Sequence, residues 1–167
     1  MSSITFDDNL QFSEVINDDL QASMYYFFQY MNFQYDFEKS CDLFVISNDN
    51  NLDSPGAFTI IEMDNKDLAC ITFNSKEMIM KSLNSRHYHL IKNDLKKFTI
   101  IVILHEFGHY FYFLKIFNKL KPKCSLFSFH EQNNEFEDLN ILNSEIFADL
   151  FAYQHFDLFN NIYDNFK

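Results

Sequence analysis

The 167-residue sequence has no tryptophan, only two glycines and two prolines, and three cysteines. Cys41, Cys70 and Cys124 are odd in number and widely spaced, which argues against a disulfide framework and against a Cys-x-x-Cys metal or redox motif. We expect buried or idle thiols in a reducing compartment. Because glycine and proline are so scarce, each break that they make along the chain is informative about where an element ends.

Positive charge is scarce as well. Lys and Arg number 13 against 24 Asp and Glu, which gives a net charge of −11 with histidine neutral. A field of this sign repels phosphate backbones and anionic lipid surfaces, so we expect no direct nucleic-acid partner. A basic protein or a cation is more compatible with it. The first eight residues lack the basic and apolar regions of a secretory signal, and we predict a cytoplasmic protein.

Apolar residues make up 47% of the chain, and its aromatic residues are 22 Phe and 9 Tyr. A chain near 150 residues buries roughly 68–70% of its unfolded surface, so we predict a single domain over residues 1–167. One strongly apolar segment covers residues 98–114. It is shorter than the roughly 18 uncharged residues of a spanning helix and has ionisable residues in its middle, which favours a buried helix and no membrane contact.

The pattern of apolar and turn residues predicts an α+β fold. Apolar spacing predicts helices over residues 18–38, 75–83, 93–117 and 141–159, with a polar loop over 119–138. Ser75, and Asn93 or Asp94, are the predicted N-caps of the second and third helices. Runs of β-branched and aromatic residues predict strands over 41–47, 57–62 and 68–73, the last two as a hairpin. The predicted sheet is therefore small, mostly antiparallel and of about three strands.

The third predicted helix contains His105-Glu106-Phe107-Gly108-His109. Residues four apart lie one turn above each other on a helix, so His105 and His109 can supply two of the four ligands of a tetrahedral zinc site. Glu106 is offset by about 100° from His105, which places its carboxylate where a general base for an attacking water belongs. The same residues in a core helix without a metal would bury unpaired charges, at a cost on the order of several kcal/mol each.

Catalytic zinc sites usually have three protein ligands, so a further residue must complete the set. The motif does not continue as in a metzincin, because positions 112 and 115 are Tyr112 and Lys115 rather than Gly and His. Glu145, in the last predicted helix, is the better candidate.

Glu145 shares one helical face with Ala148, Asp149 and Ala152. The two alanines allow a close approach to the motif helix, where Gly108 offers a matching flat spot. Asp149 is placed to accept a hydrogen bond from the outer ring nitrogen of one ligand histidine. A solvated surface glutamate is the alternative for Glu145, and the small residues beside it argue against that alternative.

In this arrangement Glu106 would take a proton from the attacking water and return it to the leaving amine. The sequence does not determine which residue would stabilise an oxyanion. Five side chains are candidates, although each also suits a surface or packing role: His87, His89, His130, Tyr153 and His155.

These motifs resemble the ImmA/IrrE family of gluzincin-type metallopeptidases. The matching parts are His105-Glu106-Phe107-Gly108-His109, the downstream Glu145-x-x-Ala148-Asp149-x-Phe151-Ala152, and Ile71-Thr72-Phe73-Asn74-Ser75, which resembles the strand before the active-site helices. The resemblance implies a compact zincin-like core in which the sheet packs on an active-site helix and a C-terminal ligand helix. It also implies that His105, His109 and Glu145 are the zinc ligands and Glu106 is the base. Members of the family often cleave a helix-turn-helix repressor.

Three functions remain open at this point. The first is a zinc-dependent intracellular endopeptidase that hydrolyses a peptide bond in a protein partner, with a helix-turn-helix repressor as one candidate substrate. The second is a non-catalytic zinc-containing binding module that sequesters a protein partner. The third is a toxin-like peptidase with another target. The sequence does not determine the oligomeric state.

Overall fold

The structure, a computed structural model, describes residues 3–8, 10, 15–84, 94–133 and 137–166, without the side chains at 82–84, 133 and 137–142. The described elements, in chain order, are β1 (Ser3–Phe6), α1 (Asp18–Tyr35), β2 (Leu43–Asn48), β3 (Gly56–Met63), β4 (Lys66–Phe73), α2 (Ser75–Asn84), α3 (Leu95–Leu120), α4 (Leu126–Asn133) and α5 (Glu137–Asp164). The α+β class predicted from the sequence is confirmed.

The sheet has four strands in the order β1-β2-β4-β3. β1 pairs with β2, and β2 with β4, in parallel, whereas β3 pairs with β4 as the predicted antiparallel hairpin. The sheet is therefore mixed, and the prediction of a mostly antiparallel sheet of about three strands was wrong. Parallel neighbours are joined by long connections rather than by a turn, so no short-range signal announces them, and the four-residue β1 was missed altogether.

Phenylalanine rings fill the space between the sheet and the helices. Phe107 of α3 stacks on Phe27 of α1, and it meets Phe44 of β2 edge-on. Phe111 of α3 stacks on Phe151 of α5. All five rings are at most 2% exposed. Burial alternates along β2, so one face of the sheet carries this core.

Helix α3 is the central element of the core. It is long and apolar enough to cross a membrane by length and composition, but 72% of its most apolar window is buried inside the protein. No other helix in the described part of the chain meets that criterion. Its burial is that of a core helix, as the sequence predicted. Asp94 caps its first turn by accepting a hydrogen bond from the Lys97 backbone N–H.

Two local predictions differ from the structure. The N-cap of α2 is Asn74 rather than Ser75, because the Asn74 side chain accepts the Glu77 backbone N–H. The predicted loop 119–138 contains α4, whose first N–H groups, from Leu126 and Phe127, are bound by the Asp67 carboxylate at 3.2 and 3.1 Å. This cap comes from the distant strand β4, so a local reading of residues 119–138 could not detect it.

Helices α3 and α5 run antiparallel and touch at Gly108. A Cβ atom at this position would lie 2.8 Å from the Ala148 Cα and 3.1 Å from the Phe151 Cβ. Ala148 and Ala152 are fully buried. The flat contact predicted between Gly108 and the small-residue face of the last helix is confirmed, and it sets how closely the two helices approach.

We expect Gly108→Ala to lower the free energy of unfolding by about 1–2 kcal/mol, because the new methyl group would meet backbone that cannot yield cheaply. Helix propensity alone would stabilise this variant by about 1 kcal/mol. A decrease in stability would therefore be due to the contact between the helices. Urea denaturation measures it. The exposed Lys119→Ala on the same helix is the control and should change stability by less than about 0.5 kcal/mol. A stabilised Gly108→Ala variant would contradict the contact.

Candidate metal site

Three predicted site residues, from two helices, converge at one point. The Nε2 atoms of His105 and His109 lie 3.0 Å apart. The Glu145 carboxylate lies 3.2 Å from the first through Oε2 and 3.1 Å from the second through Oε1. Each residue offers one ligand atom to a common centre, and these three residues can hold a metal ion.

The spacing of these atoms suits a tetrahedral ion. Bonds of about 2.0–2.1 Å to imidazole nitrogen and carboxylate oxygen place neighbouring donors of a tetrahedron about 3.3 Å apart. The two nitrogens lie 3.0 Å apart, close to that value, and each lies 3.1 or 3.2 Å from one of the two oxygens of the Glu145 carboxylate. Three donors occupy three corners, which leaves one position for water or substrate.

The outer ring nitrogens determine which way the lone pairs face. His105 Nδ1 lies 2.9 Å from Asp149 Oδ1, so the hydrogen bond predicted for Asp149 is present. His109 Nδ1 lies 2.6 Å from the Ser144 hydroxyl. An ionised carboxylate can only accept, so His105 donates from Nδ1 and, as a neutral ring, carries its lone pair on Nε2. If His109 donates to Ser144 in the same way, both lone pairs face the Glu145 carboxylate, an arrangement that a cation stabilises.

Ser144 is the site residue that the sequence reasoning missed. It precedes Glu145 on α5, and its partner His109 follows His105 by one turn on α3. Because the two helices are antiparallel, the later histidine on α3 meets the earlier residue on α5. Ser144 and Asp149 therefore each contact one histidine.

The two helices expose the site unequally. The side chains of His105 and His109 are 14% exposed, whereas those of Glu145 and Asp149 are 50% and 44% exposed. Since α3 is buried along most of its length and α5 lies nearer the surface, the carboxylates line the open side. The imidazoles form the floor.

Charge in the site shifts several pKa values in the metal-free protein. Burial lowers the pKa of His105, but the hydrogen bond to Glu145 and the charges of Glu106, Glu145 and Asp149 together outweigh burial, so the net pKa is raised. Without an ion, a proton on Nε2 can take the ion's place, and hydrogen bonds donated by His105 and His109 then hold the pKa of Glu145 well below its usual range. His105 and Glu145 thus each favour the charged form of the other, as expected of a site built around a positive charge.

Glu106 follows His105 on α3 and interacts electrostatically with His105, His109 and Glu145, but it does not belong to the group that can hold an ion. Its side chain belongs to the buried part of α3, and the residue is 6% exposed. Burial raises its pKa, and the nearby His109 and His105 only partly offset the effect. The raised pKa makes the carboxylate a stronger base than a solvated glutamate. Its side chain faces Gly56, the first residue of β3, where an added Cβ atom would lie 3.1 Å from Glu106 Oε1.

The side chains predicted as candidate oxyanion donors lie in different environments. His130 lies between the rings of Phe58 and Phe113, and His155 hydrogen-bonds the Phe151 carbonyl oxygen, so both have packing environments. Tyr153 lies one turn after Asp149 on α5 and is 51% exposed. His87 and His89 fall outside the described residues.

Comparisons of the chain with protein-family models, with curated proteins and with solved structures gave no match.

We expect His105→Ala and Glu145→Ala each to remove most of the bound metal, because two remaining ligands bind an ion weakly. Elemental analysis of protein purified with one equivalent of metal per chain measures the loss. His130→Ala and Glu38→Ala, which replace a histidine and an exposed glutamate away from the site, are matched controls that should keep wild-type metal content. Full occupancy in both site variants would contradict the proposed ligand set.

We expect Asp149→Ala to weaken metal affinity by about 10–100-fold while leaving the protein folded, because His105 would lose the partner that orients its ring. Competition with a fluorescent chelator measures the affinity. Asp157→Ala, an exposed aspartate two turns further along α5, is the control and should bind as tightly as the wild type. An unchanged affinity for Asp149→Ala would show that the hydrogen bond does not orient the ligand.

Proposed function

We propose that the chain is a zinc-dependent endopeptidase of the cytoplasm that hydrolyses a peptide bond in a protein partner. The observation that carries this proposal is a buried carboxylate, Glu106, that interacts electrostatically with all three residues of the His105, His109 and Glu145 site. A structural metal site is usually closed by four protein ligands, and it needs no additional buried base. Three ligands with an adjacent base are the composition of a hydrolytic centre.

Zinc is the proposed ion because two imidazoles and one carboxylate are a common set for catalytic zinc. Bound there, zinc would lower the pKa of a water molecule towards about 7 and polarise a substrate carbonyl. Glu106 would accept the proton of the attacking water and deliver it to the leaving amine. Asp149 and Ser144 would keep the two imidazoles in orientation, and the buried floor formed by α3 would limit access of bulk water.

The edge strand β3 is the feature that favours a peptide as the substrate. The Pro55 carbonyl accepts the Asn74 N–H, and the ladder pairs Gly56 with Phe73, so residues 55 and 57 turn their backbone groups towards β4. Orientation alternates along an antiparallel strand, so Gly56 and Phe58 turn their backbone groups away from β4, and the Gly56 carbonyl also accepts the Ser54 hydroxyl. An extended peptide that hydrogen-bonds this edge would run past Glu106.

The resemblance to ImmA/IrrE peptidases supports the same reaction and suggests its substrate class. We propose that α3, α5 and the sheet form a zincin-like core, with a helix-turn-helix repressor as the first candidate substrate. The net charge of −11 favours a basic partner, and repressors that bind nucleic acid are often basic. A toxin-like peptidase with another target would use the same site, and only the identity of the cleaved protein separates the two.

A non-catalytic zinc-containing module is the second candidate. It is favoured by the packing environments of His130 and His155, because among the described candidates for an oxyanion donor only Tyr153 then remains. Such a module would bind and sequester an intact partner. Incubating the zinc-loaded protein with peptide mixtures separates the two functions, since cleavage requires the enzyme and its complete absence supports the module.

We expect Glu106→Gln to keep bound zinc and to lower kcat by about 10²–10⁴-fold, because the amide has the shape of the carboxylate but cannot accept the proton. Cleavage of a quenched fluorescent peptide, chosen from a library with the wild-type protein, measures the rate, and elemental analysis measures the zinc. The exposed Glu38→Gln is the matched control and should cleave normally. Cleavage by Glu106→Gln at the wild-type rate would refute the mechanism.

A further inference from the structure

The chain has two glycines, and Gly56 is the one that faces the proposed base. A Cβ atom at position 56 would lie 2.9 Å from Glu106 Cγ, 3.2 Å from Cδ and 3.1 Å from Oε1. Separations below 3.0 Å are essentially never found for real Cβ atoms. The Glu106 side chain therefore occupies space that a Cβ atom at residue 56 would need, most tightly at Cγ.

Backbone conformation does not explain this glycine. The backbone of Gly56 has no positive φ angle, so any residue could adopt its conformation. Glycine within a strand is also unfavourable, because it loses more conformational entropy on folding than other residues. What remains is the contact with Glu106.

The loop that carries Gly56 is fastened on several sides. The Pro55 carbonyl accepts the Asn74 N–H at 2.9 Å, and the Asn74 side chain donates to the Leu52 carbonyl at 2.7 Å. The Ser54 hydroxyl donates to the Gly56 carbonyl at 2.8 Å. If a side chain were added at position 56, the backbone could move away from Glu106 only by breaking these hydrogen bonds. Glu106 starts from a buried helix, so only its flexible carboxylate end could move.

We propose that Gly56 is a positioning residue for Glu106, and that its backbone forms the wall that holds the carboxylate beside the His105, His109 and Glu145 centre. The catalytic consequence rests on the proposed peptidase function, whereas the contact itself does not. A base held by a rigid wall has fewer rotamers to search, which keeps it within reach of the attacking water. The wall also forms part of the strand edge that would bind the peptide.

The contact is tested by stability, without any substrate. We expect Gly56→Ala to lower Tm by at least about 3 °C in protein that retains Glu106. In the Glu106→Ala background the same substitution should leave Tm unchanged or raise it, because the obstructing side chain is gone. Equal effects in the two backgrounds would overturn the proposal. Should Gly56→Ala alone fail to fold, recovery of folded protein in the double variant would support it, and no recovery would overturn it.

The catalytic consequence is tested on the zinc-loaded protein with the library-derived peptide. We expect Gly56→Ala to lower kcat at least about tenfold, with KM within about twofold of the wild type and zinc content unchanged. Thr59→Ala, an exposed position on the opposite face of β3, is the control and should alter neither constant. A raised KM with wild-type kcat would overturn the positioning role. A wild-type protein that cleaves no peptide would refute the peptidase function instead, while the stability comparison would still decide the contact.

Discussion

The close antiparallel contact between α3 and α5 is the constraint on which the site depends. Gly108 lies against Ala148 so tightly that no side chain fits between the helices. At this separation His105 reaches Asp149 and His109 reaches Ser144, although the partners are 44 and 35 residues apart in sequence. Glu145 is then within 3.2 Å of both imidazoles. A wider helix pair would leave the imidazoles and the carboxylate too far apart to share one ion.

The aromatic composition has a related role. The chain has no tryptophan, and many phenylalanines fill the core between three helices and the sheet. Phe107 lies within the motif on α3 and Phe111 follows it, and Phe151 follows the ligand residues on α5. Along each helix, the residues that face the site thus alternate with phenylalanines whose packing prevents the helix from rotating about its axis. Rotation of either helix would expose rings and separate ligands at once.

The features predicted correctly from the sequence are those that depend on the spacing of residues within one helix or strand. The spacing of His105 and His109, and the face shared by Glu145 and Asp149, follow from helix geometry alone, and their convergence follows from the small residues between them. The features that were missed depend on distant partners. β1 is recognised only by its parallel neighbour, α4 begins where Asp67 of another element caps it, and Gly56 is explained only by Glu106. Sequence patterns within one element carry no record of such contacts.

The unequal exposure of the ligands bears on how an ion would be exchanged. The two imidazoles belong to the most buried helix of the fold, whereas half of the Glu145 side chain is accessible. Release of a single carboxylate on the surface side would open the centre, and the core would stay packed throughout. Capture and loss of an ion would therefore need the motion of one surface side chain and no unfolding of the core.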